Sequence, residues 1–182
     1  RPLNLCKVRA PSKRPVEVTV ATERRVLHTI MGMMRSKELL RGIKLIHAAT
    51  DLLRGKYSDP IGAALGGLLL ERLGHLDERA DWVENLARDF EWLPDGRILR
   101  AALSRNAADS QVRQRALDDA LVASNERPMF TDAYSLLLRT LRRWPDENER
   151  KRERRAAIER LSPTTAMVDW DQVVFTHAVR EN

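Results

Sequence analysis

The segment from residue 60 to residue 73, PIGAALGGLLLERL, constrains the fold more than any other, because it is apolar on nearly every side. Glu71 and Arg72 are its only charged residues. A helix that is apolar all round has to be enclosed by other elements rather than lie on a surface. Asp59 before Pro60 has the residue types of an N-cap and a first helical position. The sequence therefore predicts a buried helix at the centre of the fold.

Shorter amphipathic helices are predicted on both sides of this central helix. Apolar residues recur there at three- and four-residue spacing, separated by Gly, Pro, Asn and Asp clusters that indicate turns. Asp77 has the residue type of a helix cap, and the sequence from Leu93 to Gly96 reads as a helix stop. The predicted helices cover 22–34, 36–53, 60–73, 77–92, 98–103, 110–121, 131–141 and a highly charged segment at 146–161.

The two ends of the chain show a different pattern. Residues 16–20 alternate apolar and polar side chains and predict a strand, and residues 3–8 alternate more loosely. These two strands are expected to pair with each other or with a sheet of a neighbouring domain, and Thr22 is the expected cap of the first helix. Residues 169–175 fit a strand or an extended arm. We thus predict an extended segment at 1–21, a helical domain at 22–161 and a tail at 162–182.

The positive charge is concentrated in the flanks. The chain has 32 Lys and Arg against 26 Asp and Glu, a net charge of +6. Residues 1–25 contribute +5 and residues 139–160 contribute +4, whereas residues 26–138 sum to −1. Such flanks fit a solvated Arg-rich surface, or contacts with nucleic acid, an acidic protein or an anionic membrane. The possible basic contacts are Arg14, Arg24, Arg25, Arg142, Arg143, Arg150, Arg152, Arg154 and Arg155.

No motif of known catalytic or metal-binding spacing is present in the sequence. The histidines, His28, His47, His75 and His177, form no HxxxH or HExxH pair, and Cys6 is the only cysteine. A glycine motif is approached only inside the central helix, at Gly62, Gly66 and Gly67, where close packing of helices explains the glycines better. We therefore predict no catalytic residue, no cofactor and no metal.

Three aromatic residues, Trp82, Phe90 and Trp92, are the candidate interaction residues. Separations of eight and two residues mean that the three side chains cannot all face one core, so one tryptophan is expected at the surface. Aromatic side chains are common anchors of protein interfaces. Packing between helices and a role in an interface both remain open at this point.

The hairpin from Pro60 to Pro94 resembles the tetratricopeptide repeat over about 35 residues. The order of Leu70, Gly74, Leu76, Ala80, Ala87 and Pro94 carries this resemblance. It implies an all-α array of antiparallel helical hairpins whose surface holds a protein segment. The sequence departs from the repeat because no aromatic residue stands early in the first helix, and Arg79 occupies a position where the repeat has a small residue. Residues 59–96 also look like helical regions of larger bacterial signalling or protease proteins.

Together these features predict a non-catalytic interaction or regulatory module of a larger bacterial protein. Its expected partner is another protein or a neighbouring domain of the same chain, and its expected location is the cytoplasm. No segment approaches the roughly 18 apolar residues of a membrane-spanning helix. The alternative is a nucleic-acid-binding protein that uses the two basic flanks.

Overall fold

Consecutive α-helices form the body of the protein. The computed structural model describes residues 4–9, 17–22, 29–32, 34 and 43–175. Residues 29–32 and 34 are helical and precede the first helix with defined ends. The helices after them are α1 (Ile43–Arg54), α2 (Pro60–Leu73), α3 (Ala80–Asp89), α4 (Pro94–Ser104), α5 (Ser110–Ala123), α6 (Thr131–Arg142) and α7 (Lys151–Thr165). The predicted all-α class is confirmed for this body.

A small antiparallel sheet precedes the helices. Strand β1 (Asn4–Arg9) pairs with β2 (Glu17–Thr22), and the register places Asn4 opposite Thr22 and Arg9 opposite Glu17. The two predicted strands therefore pair with each other. Thr22, the expected cap of the first helix, is the last residue of β2, and the residues that would form the first turn of that helix lie outside the described residues.

Helix α2 is the buried centre that its sequence predicts, with every residue from Gly62 to Leu70 buried. The Asp59 carboxylate caps the helix by accepting the N–H of Gly62 at 2.8 Å. A Cβ atom on Gly66 would lie 2.6 Å from the carbonyl oxygen of Ala49 in α1. One on Gly67 would lie 2.6 Å from Cδ1 of Leu99 in α4. The glycines thus allow two helices to approach α2 closely, which offsets their low helix propensity.

The connection from α2 to α3 has one expected and one unexpected feature. Gly74 ends α2 in the left-handed conformation, with a φ of 75°, where glycine has no steric penalty. The residues Asp77–Arg79 then form a turn of 3-10 helix, and α3 begins at Ala80 without a side-chain cap. The prediction that Asp77 caps this helix was therefore wrong.

The end of α3 and the start of α4 differ from the prediction. Helix α3 ends at Asp89, and Pro94 is the first residue of α4, although the sequence from Leu93 to Gly96 reads as a helix stop.

Asp95 joins α4 to the start of α6. The fully buried Asp95 carboxylate accepts the N–H of Met129 at 2.7 Å and that of Phe130 at 3.1 Å. Burial raises the pKa of Asp95 to about 6, against the opposing effect of these two hydrogen bonds.

The charged C-terminal region is more ordered than its composition suggests. Helix α7 runs from Lys151 to Thr165, so it begins later than the predicted 146–161 and continues through Pro163. The residues after it return to the body, where Val173 accepts the N–H of Thr131 at 2.9 Å. The N–H of Phe175 donates to the carbonyl of Met129 at 2.8 Å, so this part of the tail lies extended against the start of α6.

Candidate interaction surface

The aromatic patch, defined as Tyr57, Trp82, Phe90 and Trp92, consists of residues from the turn after α1, from α3 and from the turn that follows α3. Helix α3 buries Val83, Leu86 and Ala87. Trp82 lies beside this buried face, only partly covered, and packs against the edge of the core. One side of the indole is thereby fixed by the fold, and the groups around its remaining surface determine its chemistry.

Three cations surround the Trp82 ring. The Arg54 guanidinium carbon lies 5.4 Å from the ring centroid, that of Arg79 lies 5.7 Å away, and the Lys56 ammonium nitrogen lies 5.9 Å away. Each distance is within the range of a cation–π interaction. The two arginines and the lysine come from the end of α1, the turn after it and the 3-10 turn before α3. These segments therefore place three positive charges around one aromatic ring, and we call this group of three cations the positive collar.

Lys56 is unusual because it is only 6% exposed although it lies in a surface turn. Its ammonium nitrogen is 5.0 Å from the centroid of the Tyr57 ring, so two rings, those of Tyr57 and Trp82, lie within cation–π distance of it. The Tyr57 hydroxyl donates to the Asp89 carboxylate at 2.7 Å, and this bond raises the pKa of Tyr57. Hydrogen bonds from Arg88 and Tyr57 hold the pKa of Asp89 below its ordinary value. The turn is thus fastened to the end of α3 by both charge and hydrogen bonding.

The outer part of the patch exposes two large rings. The Tyr57 and Phe90 ring centroids are 5.9 Å apart, and Tyr57 is 68% exposed. Trp92 is 61% exposed and lies in the turn that the N–H of Leu93 closes on the carbonyl of Phe90 at 2.9 Å. The expectation of one tryptophan at the surface is confirmed by Trp92, whereas Trp82 and Phe90 are partly buried. The structure gives no direct contact between Trp92 and the other three rings.

The predicted basic contacts fall into different environments. Arg14, Arg24 and Arg25 lie outside the described residues. Arg142, Arg143 and Arg152 are exposed. Ion pairs engage Arg150 with Asp118 and Glu153, and Arg155 with Glu159.

Arg154 differs from the other basic residues because it is buried. Its guanidinium donates to the backbone carbonyls of Leu141, Asp146, Glu147 and Glu149, at distances of 2.6 to 3.2 Å. All these acceptors lie at the end of α6 or in the segment between α6 and α7. The side chain therefore joins these two elements rather than projecting from the surface.

Among the described residues, those with catalytic or metal-binding side chains are not assembled into a site. Nδ1 of His75 lies 2.9 Å from Oε1 of Glu78, and His47 is exposed on α1. His28, His177 and the side chain of Cys6 lie outside the described residues. Within the part of the chain that the structure describes, no three His, Cys, Asp or Glu side chains are grouped as metal ligands.

Sequence reasoning missed Tyr57 and Lys56. Their segment, GKYSDP, is one of the Gly, Pro and Asp clusters that indicate turns between helices, although it holds an aromatic residue beside a cation. An aromatic residue in a short polar turn belongs to no helical apolar face. That isolated position could have indicated that Tyr57 lies at the surface. Only the structure shows that the turn lies on α3 and completes the patch.

The comparison with protein families decides where this chain belongs. The sequence model of the Y4kD C-terminal domain matches residues 29–181. The chain belongs to this family. The match of the Y4kD C-terminal domain includes all seven helices with defined ends and the extended segment that returns to α6. No solved structure matches the chain.

A curated relative of this Y4kD C-terminal domain is described as a probable protease of a Desulfuromonadales bacterium. It is 29% identical over 129 residues, which are 69% of this chain. The chain spans only 15% of the length of that relative. Among the described residues, no helix of the Y4kD C-terminal domain is both long and apolar enough to cross a membrane.

Proposed function

We propose that this chain is a non-catalytic protein-interaction module of a longer bacterial protein, and that the aromatic patch is its contact surface. The observation that carries the proposal is the exposure of two large rings, 68% for Tyr57 in the turn after α1 and 61% for Trp92 in the turn after α3, the helix whose Trp82 ring has three cations around it. Tyr, Trp and Arg are the residues that most often dominate the binding energy of protein interfaces.

The construction of the patch suits recognition because little of it needs to be ordered on binding. Tyr57 is held by Asp89, and the Lys56 ammonium lies close to two aromatic rings. A surface that is fixed before binding loses less conformational entropy when a partner arrives. The rings supply apolar area, and the arginines favour a partner with carboxylates close to its own apolar side chains.

The proposed partner is another domain of the same longer protein or a separate protein. The relative described as a probable protease is several times longer than this chain, which supports a place beside other domains. The resemblance of residues 60–94 to a tetratricopeptide hairpin agrees with a role in holding a protein segment. The regulatory role, the repeat arrangement and the cytoplasmic location remain predictions.

A site-specific photocrosslinker tests this proposal in cells that produce the natural full-length protein. The crosslinking amino acid p-benzoylphenylalanine replaces Trp92 in one variant and Val122, an exposed apolar residue of α5, in a matched control. We expect position 92 to crosslink reproducibly to one peptide of a partner or of another domain, and position 122 not to do so. Equal crosslinking from both positions, or none from position 92, contradicts the proposal.

Affinity measurements with the partner identified by crosslinking provide the second test. Trp92→Ser is expected to weaken binding by about tenfold or more, since a central aromatic anchor contributes about 2 kcal/mol. Val122→Ser is the control, because it replaces another exposed apolar side chain, on α5, by the same residue. If both variants melt like the wild type and bind equally well, the aromatic patch is not the contact surface.

A further inference from the structure

A second surface, separate from the aromatic patch, lies between the end of α6 and helix α7. It is an open groove of about 590 Å³. Leu141, Trp144 and Ile158 supply its apolar lining, of which the first two are buried and the third is partly covered. Pro145 adds a further apolar wall that is exposed. We call this the basic groove because of the charges along its rim.

The rim of the basic groove has an excess of unpaired cations. Arg142, Arg143 and Lys151 line it and are exposed, and none of them takes part in an ion pair within the described part of the chain. Arg155 also lines it but pairs with Glu159 at 2.9 Å. Besides Glu159, the lining contains one further carboxylate, that of Glu147. Three cations are therefore left to face solvent over an apolar floor.

The walls of the basic groove are held in place by hydrogen bonds within the chain. The Arg154 guanidinium binds the carbonyls of Leu141 and Glu147, both of which belong to lining residues. The Trp144 indole N–H donates to Glu149 at 2.8 Å. The Asp146 carboxylate accepts the N–H of Asn148 at 2.8 Å. A partner that entered this groove would meet a surface whose backbone is already ordered.

We propose that the basic groove binds an acidic peptide segment that also carries apolar side chains. The cations complement carboxylates, and the Leu141, Trp144 and Ile158 surfaces complement the apolar side chains between them. The Glu147 carboxylate, which takes part in no ion pair among the described residues, would repel a continuous phosphate backbone, which has a negative charge at every nucleotide, whereas a peptide can place an apolar side chain beside it. The combination of charge and an apolar floor thus favours a peptide over nucleic acid.

Fluorescence anisotropy with the whole chain tests the partner class. The probes are a short fluorescein-labelled peptide of alternating Glu and Leu, one with Gln in place of Glu, one with Ser in place of Leu, and a labelled single-stranded DNA. We expect the Glu/Leu peptide to bind most tightly, because it alone matches both the charge and the floor. Tighter binding of the DNA, or equal binding of the Glu/Leu and Gln/Leu peptides, overturns the proposal.

Substitutions at the rim locate the binding site. The triple variant Arg142→Gln, Arg143→Gln and Lys151→Gln is expected to weaken binding of the Glu/Leu peptide by about thirtyfold, since three exposed charge pairs that each contribute about threefold multiply. Lys151→Gln alone is expected to weaken it by about threefold. The matched control is Arg152→Gln, which removes the same charge from the next residue, outside the lining. Equal effects of Lys151→Gln and Arg152→Gln would place the binding elsewhere.

These results are independent of the first proposal. Trp92→Ser alters the aromatic patch and is expected to leave binding of the Glu/Leu peptide unchanged. If Trp92→Ser weakens this binding while the triple rim variant does not, the peptide binds at the aromatic patch and the proposal for the basic groove fails. Circular dichroism melting of each variant confirms that the fold is intact.

Discussion

Two pairs of helices in this molecule are held together by opposite means. Helices α1 and α2 meet through small residues, with Gly66 set against the backbone of Ala49. Helices α6 and α7 meet through a buried arginine, Arg154, whose guanidinium is shared among backbone carbonyls of the first helix and the following segment. We call α1 and α2 the apolar pair, because their close contact depends on glycine having no side chain. We call α6 and α7 the charged pair, because their contact depends on hydrogen bonds that few side chains other than arginine could make.

The largest effect is expected from Arg154→Met, which breaks the charged pair. Methionine approximates the length and bulk of the side chain but leaves four carbonyls without their donor. We expect the free energy of unfolding to fall by about 4 kcal/mol, because hydrogen bonds to charged groups contribute about 1.5–3 kcal/mol each and water replaces part of them. Urea denaturation measures this change.

The control for this substitution is Arg152→Met, two residues earlier on the exposed side of α7. It removes the same charge and is expected to change the stability by less than about 0.5 kcal/mol. If Arg154→Met is as mild as Arg152→Met, the hydrogen bonds of the buried guanidinium do not hold α6 to α7.

Asp95 is a second buried polar side chain that joins two helices, α4 and α6, and its contribution to the stability of the fold depends on pH. The folded state raises the pKa of Asp95 from 3.8 to about 6, so it holds the proton more tightly than the unfolded chain does. The contribution of this group to stability is therefore greatest below about pH 4, and it is lost as the pH rises through about 6. At about 1.4 kcal/mol for each unit of pKa shift, the full loss is about 3 kcal/mol.

Unfolding of the wild type and Asp95→Asn over this pH range measures that loss. Asparagine does not titrate, so the difference in stability between the two proteins isolates the carboxyl group. We expect the advantage of the wild type over Asp95→Asn to shrink between pH 4 and pH 6. A constant or growing difference contradicts the shift in pKa.

The apolar pair is tested by adding one carbon atom to it. Gly66→Ala places a Cβ 2.6 Å from the Ala49 carbonyl oxygen and 2.9 Å from the Leu52 Cβ, so α1 must move away from α2. We expect a loss of about 2 kcal/mol, the usual cost of overpacking a core. Gly32→Ala is the control, because its added Cβ would meet no atom of another described element within 4 Å. If Gly66→Ala gains stability as Gly32→Ala does, α1 and α2 do not pack as closely at Gly66 as the structure indicates.

The smallest effect on stability is expected at the aromatic patch, which belongs to neither of the two helix pairs. Trp92→Ser removes a side chain that is already 61% exposed, and we expect the free energy of unfolding to change by less than about 0.5 kcal/mol. Thermal melting followed by circular dichroism gives the result. A large loss of stability would mean that Trp92 serves the fold, and it would weaken the case for Trp92 as a contact residue.

The two helix pairs also differ in how far their sequences predict them. The apolar pair follows from local rules, because a helix without a polar face must be buried and a glycine inside it calls for a close neighbour. Asp59 and Gly74 fit their caps for equally local reasons. The charged pair could not be predicted in this way, since nothing in the run around Arg154 distinguishes the one buried arginine from its solvated neighbours.

The candidate surfaces show the same division. The spacing of Trp82, Phe90 and Trp92 indicated that one tryptophan is exposed, because residues at these intervals point in different directions. The positive collar around Trp82 depends on Arg54 and Lys56, which come from another part of the chain. How α1 packs against α3 determines the distance of these two cations from the Trp82 ring. No local pattern in the sequence predicts that packing. The same holds for Asp95, whose role depends on the start of α6.

The extended segment that ends at Phe175 has a consequence for the order in which the protein matures during synthesis. The N–H of Thr131 donates to the carbonyl of Val173, and the carbonyl of Met129 accepts the N–H of Phe175. Helices α1 to α4 can pack while the ribosome is still translating, as chains commonly begin to fold from the N-terminal side. The start of α6 must wait until about forty more residues have emerged, so the nascent chain exposes these backbone groups until late in translation.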